Sequence, residues 1–239
     1  MRQANKVLSS MQIPIRHAFG LCILGLWVGS AGAQSSVPGT DSTKSRWEAS
    51  IAAFAAADRE HSPLPGGIVF VGSSSIRLWN DIETSFRDAP VVLKRGFGGS
   101  KMADCTRYLD RLVIPYKPRL VLVYAGDNDL AEGTAPQDVL RNFVKFAQEI
   151  HKELPATRIA YISIKPSPAR AALIPQVRET NELIRRYVAA GRNLEFIDVF
   201  TPMLDPNGSP RAELFRADAL HLNGAGYALW KTIIAPYMR

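Results

Sequence analysis

The chain has 239 residues, 46% of them apolar and 21% charged, and only two cysteines. This is globular composition, and it excludes a disordered chain, a collagen-like repeat and a disulfide-stapled miniprotein. Lys and Arg number 29 against 22 Asp and Glu, a formal charge of +7 that invites an anionic partner until the N-terminus is considered.

The first 33 residues are predicted not to belong to the fold. Arg2, Lys6 and Arg16 make a basic leader without an acid, residues 18–28 are apolar, and Ala31-Gly32-Ala33 is a small-x-small cleavage site. Together they predict an export signal on a periplasmic or secreted protein, with Met11 as an alternative start. A membrane anchor is the competing reading, but the apolar stretch is shorter than the roughly 20 residues a spanning helix requires. Cys22 lies inside the apolar run, the wrong place for a lipoprotein cysteine. Cleavage after Ala33 leaves 26 basic residues against 22 acidic ones, a charge of +4. The remaining charges alternate in sign along residues 107–111 and 178–182, as on a solvated helix surface and unlike a nucleic-acid-binding patch. Cys105 then has no partner for a disulfide and reads as a small buried hydrophobe.

Residues 34–43 are rich in Ser, Gly and Pro and read as a flexible lead-in, with one folded domain expected over 44–239. Residues 44–60 have helical spacing, with Trp47, Ile51, Phe54 and Ala55 on one face. Five short apolar runs follow, at 67–71, 91–94, 120–124, 158–163 and 194–199. The first, third and fourth are nearly continuous, as in strands buried on both faces of a parallel sheet. Helix-like segments at 102–113, 136–154 and 173–190 separate the later runs, and 224–237 closes the chain. This alternation predicts a three-layer α/β/α sandwich on a parallel sheet, with ligands at the carboxyl ends of the strands.

Four segments stand at such ends. Gly72-Ser-Ser-Ser75 follows the first run, where a serine on a sharp strand-to-helix turn can serve as a nucleophile or simply cap a helix. It lacks the second glycine of the Gly-x-Ser-x-Gly elbow. Arg95-Gly-Phe-Gly-Gly-Ser-Lys101 follows the second run. Its spacing fits neither phosphate-binding glycine motif, but its glycines can bring a bare backbone N–H close to a substrate oxygen. Gly126-Asp-Asn-Asp129 follows the third, where an Asn amide can donate to an oxyanion or form an Asx turn. Asp218-Ala-Leu-His221 precedes the last helix; within a helical turn, residues three apart share a face, so Asp218 can orient the His221 ring. His61 and His151 lie far from any strand end, and no metal-ligand spacing is present.

Ser, Gly, Asn and His in this order resemble the SGNH hydrolases, the GDSL-type esterase/lipase family, over nearly the whole chain from about Gly67 to Tyr237. The resemblance implies a five-stranded, flavodoxin-like parallel sheet and cofactor-free, metal-free ester hydrolysis. It aligns Ser74 with the nucleophile, Gly99 and Asn128 with the backbone and side-chain oxyanion donors, and Asp218 and His221 with the acid and base. Ser73 stands where the family has an acid, Lys94 where an Asn is common, and Asp127 where Thr or Glu is frequent. The connections are short, and 165–170 and 205–210 are polar or Pro-rich. With export, these features point to a short acyl group, such as acetyl, on a carbohydrate or small molecule, with no nucleic acid and no membrane anchor after signal cleavage. A lysophospholipase or thioesterase, or a non-catalytic carbohydrate- or lipid-binding module, is the alternative. Arg77, Trp79, Lys165 and Arg170 are candidate pocket residues by their nearness to strand ends.

Overall fold

Strands β1 (Ile68–Gly72) and β3 (Leu120–Tyr124) are apolar at almost every position and buried along their whole length, so both faces of the sheet they form must be covered. A computed structural model describes residues 46–86 and 91–239. The predicted signal and lead-in lie outside the described residues. The remaining strands are β2 (Val92–Gly96), β4 (Arg158–Ile162) and β5 (Leu194–Ile197). All pairs are parallel, and the order is β2-β1-β3-β4-β5, the flavodoxin-like arrangement.

The helices are α1 (Glu48–Glu60), α2 (Ser74–Arg77), α3 (Ile82–Ser85), α4 (Met102–Arg107), α5 (Leu109–Leu112), α6 (Asp127–Ala131), α7 (Pro136–Glu153), α8 (Ile174–Ala190) and α9 (Gly224–Ile234). Side chains alternate across the sheet with period two, which yields two cores. Val69, Val71, Val121, Val123 and Ile159 pack with α1, α4, α5, α7 and α8. Ile68, Phe70, Leu120, Leu122 and Ile162 pack with α2, α3 and α9 on the other face. The α7 stripe of Val139, Phe143, Phe146 and Ile150 is buried as its spacing predicts.

Three expected helices are shorter than their patterns. The segment at 44–60 becomes helical only at Glu48, with Arg46 and Trp47 in the turn before it and residues 44–45 outside the described residues. The segment at 102–113 is broken at Tyr108, whose ring packs edge-on against Phe97. The last helix yields after Ile234 to a 3₁₀ turn containing Pro236, which has no N–H to continue the ladder.

The register sets the site. Gly72 lies level with Gly96 on one side and Tyr124 on the other, so β1, β2 and β3 end in one row. The segments carrying Ser74, Gly99 and Asn128 leave from that row. Helix α1 is docked nearby by a partly buried charge cluster. Arg95 donates to Asp58 at 2.6 Å and to the Tyr116 hydroxyl at 3.0 Å, and that hydroxyl donates to Asp58 at 2.5 Å.

Candidate active site

Gly72 carries the turn out of β1 at φ +146, and a Cβ built on it would lie 2.0 Å from the Tyr124 carbonyl oxygen. No other residue fits between these two strand ends. The Ser73 N–H donates to that same carbonyl at 3.1 Å, and the Ser73 carbonyl accepts the Ile76 and Arg77 N–H groups to start α2. Of the three serines, Ser73 and Ser75 are buried and Ser74 is partly open. The Ser75 carbonyl accepts from the Tyr227 hydroxyl at 3.0 Å. Ser74 Oγ lies 3.0 Å from His221 Nε2.

His221 sits in a turn and not in the helical turn its spacing suggests. Ala219 adopts left-handed φ +54, and the Asp218 carboxylate bends back to accept the Leu220 and His221 N–H groups at 3.0 and 2.9 Å. The Arg216 N–H to His221 carbonyl bond at 2.8 Å closes the turn, and Ala169 N–H donates to Ala219 at 3.0 Å. Hydrogen bonds on both sides of the turn hold Ala219 in this conformation. Asp218 Oδ2 lies 2.7 Å from His221 Nδ1. The hydrogen bond from the His221 ring, then the two backbone N–H groups, hold the Asp218 carboxyl well below the usual carboxylate range. An ionised Asp218 can only accept, so Nδ1 carries the ring proton and Nε2 is free to accept from Ser74.

Gly99 also has left-handed φ, +75. Its carbonyl accepts from Arg46 at 2.7 Å, and the Gly98 carbonyl accepts from the Trp47 indole at 2.9 Å. The loop is thus clamped through its carbonyls, and among the described residues no backbone hydrogen bond uses the Gly99 N–H.

Asn128 stands in the first turn of α6, after Gly126 at φ +114. Its Nδ2 donates to the Ser100 carbonyl at 3.0 Å, and its Oδ1 accepts from Arg170 at 3.1 Å. These two contacts decide which end of the amide is nitrogen and leave one N–H unspent. Beside it, Asp127 is bound by Arg170 and by Lys165 at 2.7 Å, with the Tyr124 hydroxyl at 3.2 Å. Burial pushes the Asp127 carboxyl up, but Lys165 and Arg170 outweigh it and hold the group ionised.

All five predicted site residues except Asp218 line one cavity of about 570 Å³; Asp218 stands behind His221. Of the candidate pocket residues, Arg77 and Arg170 lie on its wall. Lys165 does not: it is 2% exposed and acts through Asp127. Trp79 is a core residue, 1% exposed and packed against Phe70, Tyr227 and Trp230. Cys105 is fully buried, and burial pushes its thiol up, as its reading as a core hydrophobe requires. Arg46 and Trp47 also wall the cavity. The helical pattern gave no sign of that, because their partners lie about fifty residues away.

The fold is a five-stranded parallel α/β sheet, and past its carboxyl ends Ser74, His221 and Asp218 stand in hydrogen-bonded sequence. A sequence model of the GDSL-like Lipase/Acylhydrolase family matches residues 69–229, and the chain belongs to that family of ester-bond hydrolases. Among solved structures it is similar to a GDSL-like lipase of Bacteroides thetaiotaomicron, at 20% identity and TM-score 0.67, over 80% of this chain and 97% of that one. It is also similar to a lipase/acylhydrolase of Enterococcus faecalis, at 23% identity and TM-score 0.61, over 72% and 95%. No curated protein matches it significantly by sequence.

Proposed function

We propose that the protein is an exported serine esterase that removes a short acyl group, such as acetyl, from a carbohydrate or small-molecule alcohol. One observation carries the reading: Ser74 Oγ is 3.0 Å from His221 Nε2, whose Nδ1 is 2.7 Å from Asp218. Ser74 attacks the ester carbonyl as His221 takes its proton, and Asp218 holds the tautomer and stabilises the imidazolium. The N–H groups of Ser74 and Gly99 and the free Asn128 N–H donate to the oxyanion. His221 returns its proton to the departing alcohol. Water, deprotonated by His221, then releases the acid from the acyl-enzyme.

The cavity walls support a short acyl group. Trp47 and Leu220 are their only large apolar residues among those described, whereas a long chain needs continuous apolar surface. The leader at residues 1–33 supports export, which N-terminal sequencing tests by finding Gln34 first in the mature protein.

A series of p-nitrophenyl esters from acetyl to palmitoyl tests the reading. Activity should be highest at acetyl and fall by at least about 10³-fold in Ser74→Ala. Activity rising with chain length would instead establish a long-chain acylhydrolase. Undiminished activity in Ser74→Ala would remove the nucleophile assignment.

A further inference from the structure

Three guanidinium groups, Arg46, Arg77 and Arg170, stand on the cavity wall beside Ser74. The wall holds one carboxylate among the described residues, Asp127, and Lys165 and Arg170 already bind it. Asp218, behind His221, is held by that ring and two backbone N–H groups. Arg46 also attracts Asp104 and Glu132, but both lie off the cavity wall and Lys101 already pairs with Glu132, so Arg46 and Arg77 keep a net positive charge on the wall.

Both groups are set in place. The Arg46 guanidinium lies 4.3 Å from the centroid of the Trp47 ring and donates to the Gly99 carbonyl at 2.7 Å. Neither contact neutralises it, and one donated bond leaves most of its five N–H donors free. Arg77 is one turn along α2 from Ser74 and lies over Gly98, where an added Cβ would come within 2.8 Å of its Nε. The glycine leaves the room this side chain fills. Two guanidinium groups thus flank the Gly98–Gly99 loop on the route to the nucleophile.

We infer that the alcohol portion of the ester carries an anionic group, a carboxylate, phosphate or sulfate, which Arg77 and Arg46 hold while Ser74 attacks the acyl carbon. The inference rests on the esterase reading and adds the charge of the substrate to it. An acetyl group fills a small part of about 570 Å³, so most of this wall faces the alcohol. Guanidinium groups match planar or tetrahedral oxyanions by forked hydrogen bonds. They also concentrate anions at the cavity mouth.

The test uses two matched pairs of acetyl esters on the purified protein. One pair is acetylated methyl galacturonoside and acetylated methyl galactoside. The other is 1-acetylglycerol 3-phosphate and 1-acetylglycerol. The pairs distinguish a sugar carboxylate from a phosphate. In at least one pair the anionic member should have a kcat/KM about tenfold higher at low ionic strength, and the preference should shrink in high salt. Arg77→Gln should reduce that ratio about three- to fivefold and Arg77→Glu further, with unfolding temperatures measured to show that both variants fold. Equal kcat/KM within both pairs, or a preference indifferent to salt and to Arg77, overturns the inference and leaves the esterase standing. No hydrolysis of any of the four, nor of p-nitrophenyl acetate, overturns the esterase reading and this inference with it.

Discussion

Among the residues of the site, the second bond each group makes decides what it can do. Asp218 spends one carboxylate oxygen on two backbone N–H groups and the other on the His221 ring, so the tautomer is fixed before substrate arrives. In Asp218→Asn the amide can present its NH₂ to Nδ1 and reverse the tautomer, and kcat should fall by about 10³- to 10⁴-fold with the fold intact. A loss below tenfold in steady-state kinetics would contradict this role. Asn128 is oriented by Arg170 and the Ser100 carbonyl. Asn128→Ala should cost about 10²- to 10³-fold in kcat on a neutral acetyl ester. Arg170→Ala should cost about tenfold in kcat with little change in KM, because the amide is then free to rotate. If Arg170 acts through the amide, it should cost almost nothing further in the Asn128→Ala background. A fully additive double variant would show that Arg170 acts by another route.

Between elements, Asp129 joins α6 to α4: it is 1% exposed, and both its oxygens accept the Met102 N–H, at 3.2 and 3.1 Å. Burial pushes its carboxyl up to about 6, although the Met102 N–H opposes the shift. The sign follows. Below about pH 4 the group is protonated whether the chain is folded or not. Between about pH 4 and 6 the unfolded chain gives up the proton while the native state keeps it, so stability falls as pH rises. Above about 6 the loss is constant. Asn at this position keeps an acceptor for Met102 and cannot ionise. Urea unfolding at pH 4 and pH 7 should find Asp129→Asn more stable relative to wild type at pH 7 than at pH 4, by up to about 2–3 kcal/mol. A difference that is flat or reversed with pH would contradict the assignment.

For the whole molecule, the sheet was legible because its strands are short, apolar and bounded by glycines and helical patterns. The 120–124 run coincides with β3, and the others differ at their ends by a few residues. The short helices α2, α3 and α6 were not legible, since four or five residues are too few to show a period. The site residues could be picked out because each follows a strand end or precedes a helix, and the parallel register then aligns those ends. The choice of Ser74 among three serines depended on the family resemblance, and only burial and the His221 contact distinguish it physically. The contribution of α1 to the cavity and the role of Asp127 as an anchor for Lys165 and Arg170 were hidden. Both arise from contacts about forty to fifty residues apart that leave no local pattern.

The central claim is that Ser74 is a nucleophile activated by His221. Labelling with diisopropyl fluorophosphate, followed by fragment mass spectrometry of the peptide containing Gly72 to Arg77, tests it most directly. The account predicts a single adduct on Ser74, and its loss in His221→Ala. An unlabelled folded protein, or an adduct on Ser73 or Ser75, would contradict it.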